Sequence, residues 1–233
     1  MLIATIGISG SGKSRLGNLL KNKIDNLEVV CPDDVRKEIN GSVSSQNNNF
    51  KVFCICKYRA KKALSEGKNV YWSATNLSSS ARKDLYELCK DANTKLIFIM
   101  MNDSLDDNLC RKRVKNDLGS GIDRSNTLVN VDIDKDVIAS QYERFNNIDI
   151  DKLYEDAEKY GAQVAIELFS NSDNYNIDSL VERINSDTTT NYERAIDIIG
   201  EQKYFTKEEN DSYEKSISQL YTKTGRKLFW ATK

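Results

Sequence analysis

Eight consecutive residues near the start of the chain have the types and spacing that bind phosphate. Residues 7–14 read Gly-Ile-Ser-Gly-Ser-Gly-Lys-Ser, a complete G-x-x-x-x-G-K-S pattern. Glycines let backbone N–H groups surround a phosphate, the lysine reaches the β- and γ-oxygens, and the last hydroxyl ligates Mg²⁺. We therefore expect ATP or another nucleoside triphosphate to bind here with Mg²⁺, and Ser14 to be the metal ligand. The predicted nucleotide-binding residues are Gly7, Ser9, Gly10, Ser11, Gly12, Lys13 and Ser14.

A second group of reactive side chains lies in the segment Cys31-Pro-Asp-Asp-Val-Arg36. A carboxylate beside a phosphate-binding loop can accept the proton of an attacking hydroxyl, so Asp33 is the candidate general base. Arg36 follows one helical turn later and could hold a phosphate of the acceptor. Alternatively, Asp33 or Asp34 only caps the next helix. The nearby phosphate-binding loop favours the catalytic interpretation.

The composition restricts the chemistry further. The chain contains no histidine, so imidazole bases, nucleophiles and metal ligands are excluded. Its formal net charge of −1 predicts no overall attraction to nucleic acid, so such binding would need a local basic patch. Five cysteines without C-x-x-C spacing are typical of reduced thiols. No stretch approaches the about 20 apolar residues of a membrane span, so we expect a cytoplasmic protein without a membrane partner.

Short apolar runs alternate with helical patterns along the chain and must position these side chains. The predicted strands are residues 2–6, 29–31, 69–73, 95–101 and 163–169. The predicted helices are residues 13–23, 35–39, 50–65, 81–92, 105–116, 136–145 and 177–184. This alternation predicts an α/β fold with a five-stranded parallel sheet flanked by helices. We expect one domain in residues 1–186 and a small C-terminal helical extension in residues 187–233.

Missing motifs separate the classes of nucleotide-binding protein. The chain lacks the N-K-x-D motif with which GTPases read the base. The segment Met100-Met101-Asn102-Asp103 could imitate the acidic strand end of a motor ATPase, but it comes late in the strand order. Together with the paired acidic and basic elements, this favours a small phosphotransferase.

In their order along the chain, these residues resemble the bacteriophage-type polynucleotide 5′-kinases and the wider group of small P-loop kinases. The resemblance covers about residues 1–150, or residues 1–186 if the fifth strand and the helix after it are included. The shared elements are the loop at residues 7–14, Asp33-Asp34-x-Arg36, Ala74-Thr75-Asn76-Leu77, an arginine-bearing lid at about residues 105–135, and the helix with Gln141-Tyr-Glu-Arg-Phe145. The resemblance implies a kinase domain that transfers the γ-phosphate of ATP to the 5′-hydroxyl of RNA or DNA.

The resemblance also implies roles for individual residues. Asp33 would be the general base, Arg36 would contact the acceptor phosphate, and Thr75 would touch the acceptor. Lid arginines would stabilise the transferring phosphoryl group, and the candidates are Arg111, Arg113 and Arg124. The full set of predicted acceptor-binding residues is Asp34, Arg36, Thr75, Asn76 and Arg82.

Two features depart from the patterns of this group. The wider group often has D-A-T-N after the third strand, whereas this chain has Ser73 in place of the acid, which leaves a second carboxylate for metal or substrate in doubt. Asp132-x-Asp134 resembles the D-x-D signature of the phosphatase domain in kinase–phosphatase members, but it lacks the preceding apolar strand. We interpret it as the acidic start of a helix and predict no phosphatase.

Other functions remain open on sequence grounds. A kinase for a small-molecule hydroxyl, such as a nucleoside, nucleotide, sugar or antibiotic, would share the phosphate-side residues and differ in its acceptor pocket. A nucleotide-binding regulatory module without transfer activity is a third hypothesis.

In the tail, Arg226, Lys227 and Trp230 could bind nucleic acid, but we favour docking of the tail onto the core or a partner subunit. The C-terminal helices are thus candidates for homo-oligomer assembly.

Overall fold

A computed structural model of the protein describes residues 1–124, 137–171 and 176–186. The strands are β1 (Leu2–Ile6), β2 (Leu27–Val30), β3 (Asn69–Trp72), β4 (Leu96–Met101) and β5 (Val164–Phe169). The helices are α1 (Lys13–Lys21), α2 (Pro32–Asn40), α3 (Asn49–Ser65), α4 (Ser79–Asp91), α5 (Asp107–Gly119), α6 (Val137–Asn146), α7 (Ile150–Tyr160) and α8 (Ile177–Asn185).

The five strands form one parallel sheet in the order β2-β3-β1-β4-β5. This confirms the predicted α/β fold. Strand β1, which leads into the phosphate-binding loop, lies in the centre between β3 and β4. Because all strands are parallel, the segments that follow them meet at the carboxyl edge of the sheet, where ligands bind in open α/β sheets.

Alternating side chains of β1 pack into two separate apolar clusters, one on each face of the sheet. Leu2, Ala4 and Ile6 belong to the larger cluster, and Ile3 belongs to the other. All four are fully buried. A strand covered on both faces must be apolar throughout, which explains why β1 reads as a continuous apolar run. The rigid core thereby holds the start of the phosphate-binding loop in place.

Two helices differ from the sequence prediction. Helix α2 begins at Pro32 rather than at residue 35, because proline at the first helical position has its φ angle preset and needs no N–H partner. Helix α7 was missed. It begins at its cap Asp149, whose side chain accepts a hydrogen bond from the Lys152 N–H, and it buries Leu153 and Ala157. The remaining predicted elements occur with boundaries shifted by a few residues.

Several predictions fall outside the described residues. These are the later part of the lid, the Asp132-x-Asp134 segment, the C-terminal extension at residues 187–233 and its aromatic tail. In the described part of the chain, no helix combines the length and apolar character that crossing a membrane requires.

Candidate active site

A cavity of about 820 Å³ lies at the carboxyl edge of the sheet. Its walls come from the phosphate-binding loop, the segments after β2, β3 and β5, the loop before α3, and helices α3, α5 and α6. The predicted site residues that line it are Ser9, Gly10, Gly12, Lys13, Ser14, Asp33, Arg36, Thr75, Arg113 and Arg124. The fold thus brings together residues that are far apart in the sequence.

Two glycines of the loop are required by their surroundings. Gly10 and Gly12 have φ angles of 82° and 92°, in the left-handed region that favours glycine. A β-carbon on Gly10 would overlap the backbone of Cys110 in α5, and one on Gly12 would overlap the side chain of Asn171. The loop is therefore closely packed against its neighbours, and a side chain at either position would displace them.

Lys13 lies folded over this loop. Its Nζ atom donates hydrogen bonds to the carbonyl oxygens of Ile8 at 2.6 Å and Gly7 at 3.3 Å. Burial lowers the pKa of Lys13 from its ordinary value of 10.5 to about 8, and the Asp33 carboxylate acts in the opposite direction. A half-buried ammonium that donates to two carbonyl oxygens and faces the cavity would gain strongly from an anionic phosphate.

The loop fits a nucleotide phosphate. Helix α1 begins at Lys13, and its N-terminal cap Gly12 provides no side-chain hydrogen bond, so N–H groups of the first turn point towards the ligand position. The buried hydroxyl of Ser11 has no hydrogen-bond partner among the described residues. Free N–H groups, an orphaned hydroxyl and a buried cation together make a phosphate-binding donor set.

The cavity offers few oxygen ligands for Mg²⁺, so the ion would need the nucleotide to complete its coordination. Ser14 and Ser73 line the cavity with hydroxyl groups, but within residues 1–124, 137–171 and 176–186 no group of three His, Cys, Asp or Glu side chains could hold a metal. Mg²⁺ commonly takes few protein ligands and fills its shell with phosphate oxygens and water. Ser14 would hold the ion, which supplies charge neutralisation at the phosphates when bound.

Asp33 faces the same cavity from the first turn of α2. Its carboxylate accepts a hydrogen bond from Arg36 Nη1 at 2.6 Å and lies 3.6 Å from Arg124 Nη1. Cys31 occupies the N-terminal cap position of α2 and makes no side-chain cap hydrogen bond. Because the Asp33 side chain contacts Arg36 on its own helix and Arg124 from the segment beyond α5, the capping alternative does not describe its contacts.

Asp34 points elsewhere, although it is adjacent in the sequence. It lines a smaller surface hollow of about 500 Å³ together with Glu28 and Lys68, and it is absent from the lining of the large cavity. Its pKa is raised by partial burial and by the charge of Asp33. The structure does not bring Asp34 to the acceptor side of the cavity.

The segment after β3 contacts the phosphate-binding loop directly. The Gly7 N–H donates to the Thr75 carbonyl oxygen at 3.1 Å, and the Thr5 hydroxyl donates to the Ala74 carbonyl oxygen at 2.9 Å. Ser73, Ala74 and Thr75 all line the cavity. Thr75 is therefore within the candidate site, as the sequence predicted.

Asn76 and Arg82 have structural contacts instead. The Asn76 side-chain amide donates to the Thr5 carbonyl oxygen at 2.7 Å, and Asn76 is buried with a φ angle of 47°. Arg82 is also buried, and its Nη1 donates to the carbonyl oxygens of Asn76 and Leu77 at 3.1 and 3.0 Å. Neither residue lines the cavity, because both are used to hold the turn after β3.

The three candidate lid arginines separate into two groups. Arg113 and Arg124 line the cavity, whereas Arg111 pairs with Asp107 on its own helix and is not part of the lining. Arg113 Nη1 lies 2.6 Å from a carboxylate oxygen of Asp103 and donates to the Gly10 carbonyl oxygen at 3.4 Å. Arg124 connects the end of α5 to the candidate base Asp33.

Three polar residues that support the loop were not among the predicted site residues. Gln141 of α6 accepts a hydrogen bond from the Ser9 N–H at 2.7 Å. Asn171, two residues after the end of β5, donates to the Ser11 carbonyl oxygen at 2.7 Å. Asp103 is buried and accepts from Arg113 and from the Asn171 N–H. The available signal for Asn171 and Asp103 was their position just beyond apolar strands.

A hydroxyl cluster connects two segments that line the cavity. Ser42 and Ser44, in the loop between α2 and α3, donate hydrogen bonds to the two carboxylate oxygens of Asp123 at 2.5 and 2.6 Å. Asp123 lies just beyond α5 and lines the cavity. The loop on the acceptor side is thereby connected to the beginning of the lid.

Comparisons with known proteins agree with this architecture. A family model described as AAA domain matches residues 2–146. A candidate kinase from Chloroflexus aurantiacus is similar in structure, with a TM-score of 0.54 and 12% identity over 78% of this chain and 95% of that chain. At this identity the likeness shows the fold alone. No curated protein matches the chain.

Two weaker structural similarities were also found. A chain of the Pnkp1/Rnl/Hen1 RNA repair complex has a TM-score of 0.47 and 19% identity, covering 68% of this chain and 45% of that chain. The Chaetomium thermophilum protein Kti12, in complex with ADP-AlF3, has a TM-score of 0.44 and 16% identity, covering 75% of this chain and 91% of that chain. This chain therefore spans less than half the length of the repair-complex chain.

The family match includes every element that forms the centre of the cavity except the segment after β5. It begins in β1, contains the phosphate-binding loop, Asp33 and Thr75, and ends with α6. Because this match spans more than half of the 233 residues, the chain belongs to the AAA domain family that the model describes.

Proposed function

We propose that this protein is an ATP-dependent kinase that phosphorylates the 5′-hydroxyl of a polynucleotide. The observation that carries the proposal is one cavity with a phosphate-binding loop on one wall and the Asp33 carboxylate on another. A nucleotide-binding module needs the loop but has no need for an arginine-positioned carboxylate opposite it. A kinase needs both, because the acceptor hydroxyl must lose its proton during transfer.

The proposed reaction follows from this arrangement. The acceptor hydroxyl oxygen attacks the γ-phosphorus of ATP, and the bond between the γ-phosphorus and its bridging oxygen breaks. Asp33 takes the hydroxyl proton, and ADP leaves with the bridging oxygen. Lys13, whose buried ammonium already lies on the loop, stabilises the negative charge of the phosphates.

Two arginines lie where they can contact the transferring group. Arg124 is 3.6 Å from Asp33 and reaches the cavity from the lid side, so it is our first candidate for stabilising the phosphoryl group. Arg113 lies beside Gly10 but is held by the buried carboxylate of Asp103. We therefore propose that Arg113 positions the loop, while Arg124 moves between Asp33 and the substrate.

The acceptor side of the cavity supports a nucleotide-like acceptor. The Arg36 guanidinium contacts Asp33 through Nη1 and Asn49 through Nη2. It also lies 5.9 Å from the centre of the Phe53 ring, which lines the cavity. A cation beside an aromatic face suits a phosphate next to a nucleobase, because the ring can stack on the base. This agrees with the resemblance to polynucleotide 5′-kinases.

A kinase for a small-molecule hydroxyl is the second candidate. It is favoured by the hydrogen bonds from Ser42 and Ser44 to Asp123, because they connect two segments that line the cavity and so suit a compact acceptor better than a strand. The serine at position 73, where an acid is common in similar kinases, is the feature that favours a regulatory module.

Transfer of labelled γ-phosphate separates these candidates. The wild-type protein is incubated with labelled ATP and either a 5′-hydroxyl oligonucleotide, the same oligonucleotide with a 5′-phosphate, or a panel of nucleosides and sugars. We expect label only on the 5′-hydroxyl oligonucleotide. Label only on a small molecule would support the second candidate, and nucleotide binding without transfer would support the regulatory module.

A further inference from the structure

The exposed face of helix α3 carries aromatic side chains that the fold does not use. Phe50 is 84% exposed and Tyr58 is 68% exposed, the two highest values among the large apolar and aromatic residues of the described ranges. The opposite face of the helix is buried through Val52, Cys56 and Ala60. Burying a phenylalanine side chain is worth about 1.5–3 kcal/mol, so a ligand that covers Phe50 would gain binding free energy of this size.

Phe50 lies immediately outside the candidate active site. Phe53 is three residues further along the same helix and lines the cavity, and residues three apart are neighbours on a helix surface. Asn49, at the start of the helix, accepts a hydrogen bond from Arg36 at 2.8 Å. The first turn of α3 therefore carries one aromatic ring inside the cavity and a second one outside its mouth.

Helix α3 is also basic along its whole length. Residues 49–65 contain no acidic residue, and their basic residues are Lys51, Lys57, Arg59, Lys61 and Lys62. Four of these pair with acidic side chains at the surface, but such exposed pairs are weak and exchange readily with phosphates. Lys51, beside Phe50, has no ion pair with another described residue, which leaves its charge available.

We propose that the exposed face of α3 binds the acceptor strand as it leaves the cavity, and that the acceptor is therefore a single-stranded polynucleotide. The proposal rests on the proposed kinase function and specifies its substrate class. Phe50 stacks on a base next to the cavity, Lys51 contacts a phosphate, and Tyr58 stacks further along the strand. Phe50 and Tyr58 are eight residues apart, which corresponds to about 12 Å along the helix axis. Aromatic platforms combined with lysines bind single strands without sequence preference.

The direction of the helix agrees with such a path. Phe53, near the N-terminal end of α3, lines the cavity at the carboxyl edge of the sheet. The C-terminal end of α3 leads to β3, which begins with Asn69 at the opposite, amino edge. A strand that starts at Asp33 and follows α3 would move away from the nucleotide. The donor and acceptor would then not compete for space.

The test compares acceptors of different length in variants of the full chain. We measure kcat/KM for transfer to a 5′-hydroxyl dinucleotide and to a 5′-hydroxyl ten-mer. For Phe50→Ala, we expect the ratio of the ten-mer value to the dinucleotide value to fall about tenfold, the lower part of the range for one base-stacking contact. Phe50→Trp should restore the ratio, because tryptophan also offers a ring for stacking. Tyr58→Ala should lower the ratio less than Phe50→Ala, since it lies further along the strand.

Salt dependence tests the lysine with a matched control. Binding of a 3′-fluorescein-labelled ten-mer is followed by anisotropy at several salt concentrations. Lys51→Ala should reduce the slope of log affinity against log salt by about one, as expected for the loss of one phosphate contact. Lys21→Ala removes the same charge from the exposed end of α1 and should leave the slope unchanged.

The outcomes separate the two proposals. If the wild type labels both acceptors but the ratio is the same in Phe50→Ala, the kinase function stands and the α3 surface is refuted. If the wild type labels neither acceptor, the proposed polynucleotide kinase function itself is refuted. If Phe50→Ala keeps the ratio but changes the sedimentation coefficient of the protein, the surface binds another protein chain and the strand proposal is wrong.

Discussion

Replacement of Asp33 by asparagine tests the proposed mechanism most directly. The substitution keeps the size of the side chain and an oxygen that can accept from Arg36, but it removes the proton acceptor. Loss of a general base lowers the rate by about 10²–10⁴-fold, which corresponds to about 3–5 kcal/mol in the activation free energy. We expect a decrease of this size in the transfer of labelled γ-phosphate.

The loss should exceed any effect on folding. The Asp33 side chain is 39% exposed, so its ion pairs with Arg36 and Arg124 are screened by water. Such pairs, together with the favourable charge at the N-terminus of α2, contribute about 1 kcal/mol to stability. The urea midpoint of Asp33→Asn should therefore change little, and binding of a fluorescent ATP analogue should be retained.

The neighbouring carboxylate provides the control. Asp34→Asn removes the same charge from the same helical turn, but Asp34 lines the hollow beside Glu28 and not the cavity. We expect Asp34→Asn to transfer phosphate within about threefold of the wild-type rate, since exposed substitutions rarely have large effects. Asp33→Asn with near wild-type transfer, or equal losses in both variants, would refute Asp33 as the base.

Three further predictions concern the phosphate-binding loop and its support. Burial lowers the Lys13 pKa to about 8, so the charged lysine destabilises the nucleotide-free fold at neutral pH; relative to Lys13→Met, the wild type should therefore gain free energy of unfolding between about pH 8 and 10.5 in paired urea titrations, and Lys13→Met should weaken ATP binding at least about 10²-fold. Gly10→Ala should lower the free energy of unfolding by at least about 2 kcal/mol, measured by thermal unfolding, because its β-carbon would overlap the backbone of α5. Gly121→Ala is the control: its φ angle is similar but the space around it is open, so the decrease should be smaller. Asp103→Ala should cost about 3 kcal/mol in urea unfolding because it leaves Arg113 and a buried N–H without their acceptor, and an unchanged midpoint would contradict this.

Local patterns were sufficient for most of the architecture. The alternation of apolar runs and helical spacings predicted all five strands, because burial on both faces of a parallel sheet demands continuous apolar segments. Helix α7 was missed although the sequence signals it: Ile150, Leu153, Tyr154 and Ala157 have the i, i+3, i+4, i+7 spacing of a helix face, and all four pack in or against the core. Asp149 and Gly161 mark its two ends, and its many charged residues lie on the other faces.

At the acceptor side, position in the sequence did not reveal which groups the side chains contact. Asn76 and Arg82 are polar residues beside a strand end, which is typical of substrate contacts, yet their partners are backbone carbonyl groups of their own turn. Asp33 and Asp34 are adjacent in the sequence, but successive positions on a helix differ by about 100° in direction. Only Asp33 faces the phosphate-binding loop as a result.

The sequence by itself determined the phosphate-binding loop, the parallel sheet and the approximate place of Asp33, because each depends on neighbours in the chain or on a regular period. The tertiary structure decided which side chains meet. Gln141 contacts Ser9 from 132 residues away, and Asn171 contacts Ser11 from 160 residues away. Such contacts depend on the spatial order of the strands in the sheet, which brings distant segments together at one edge. The apolar period within a single strand or helix carries no information about that order.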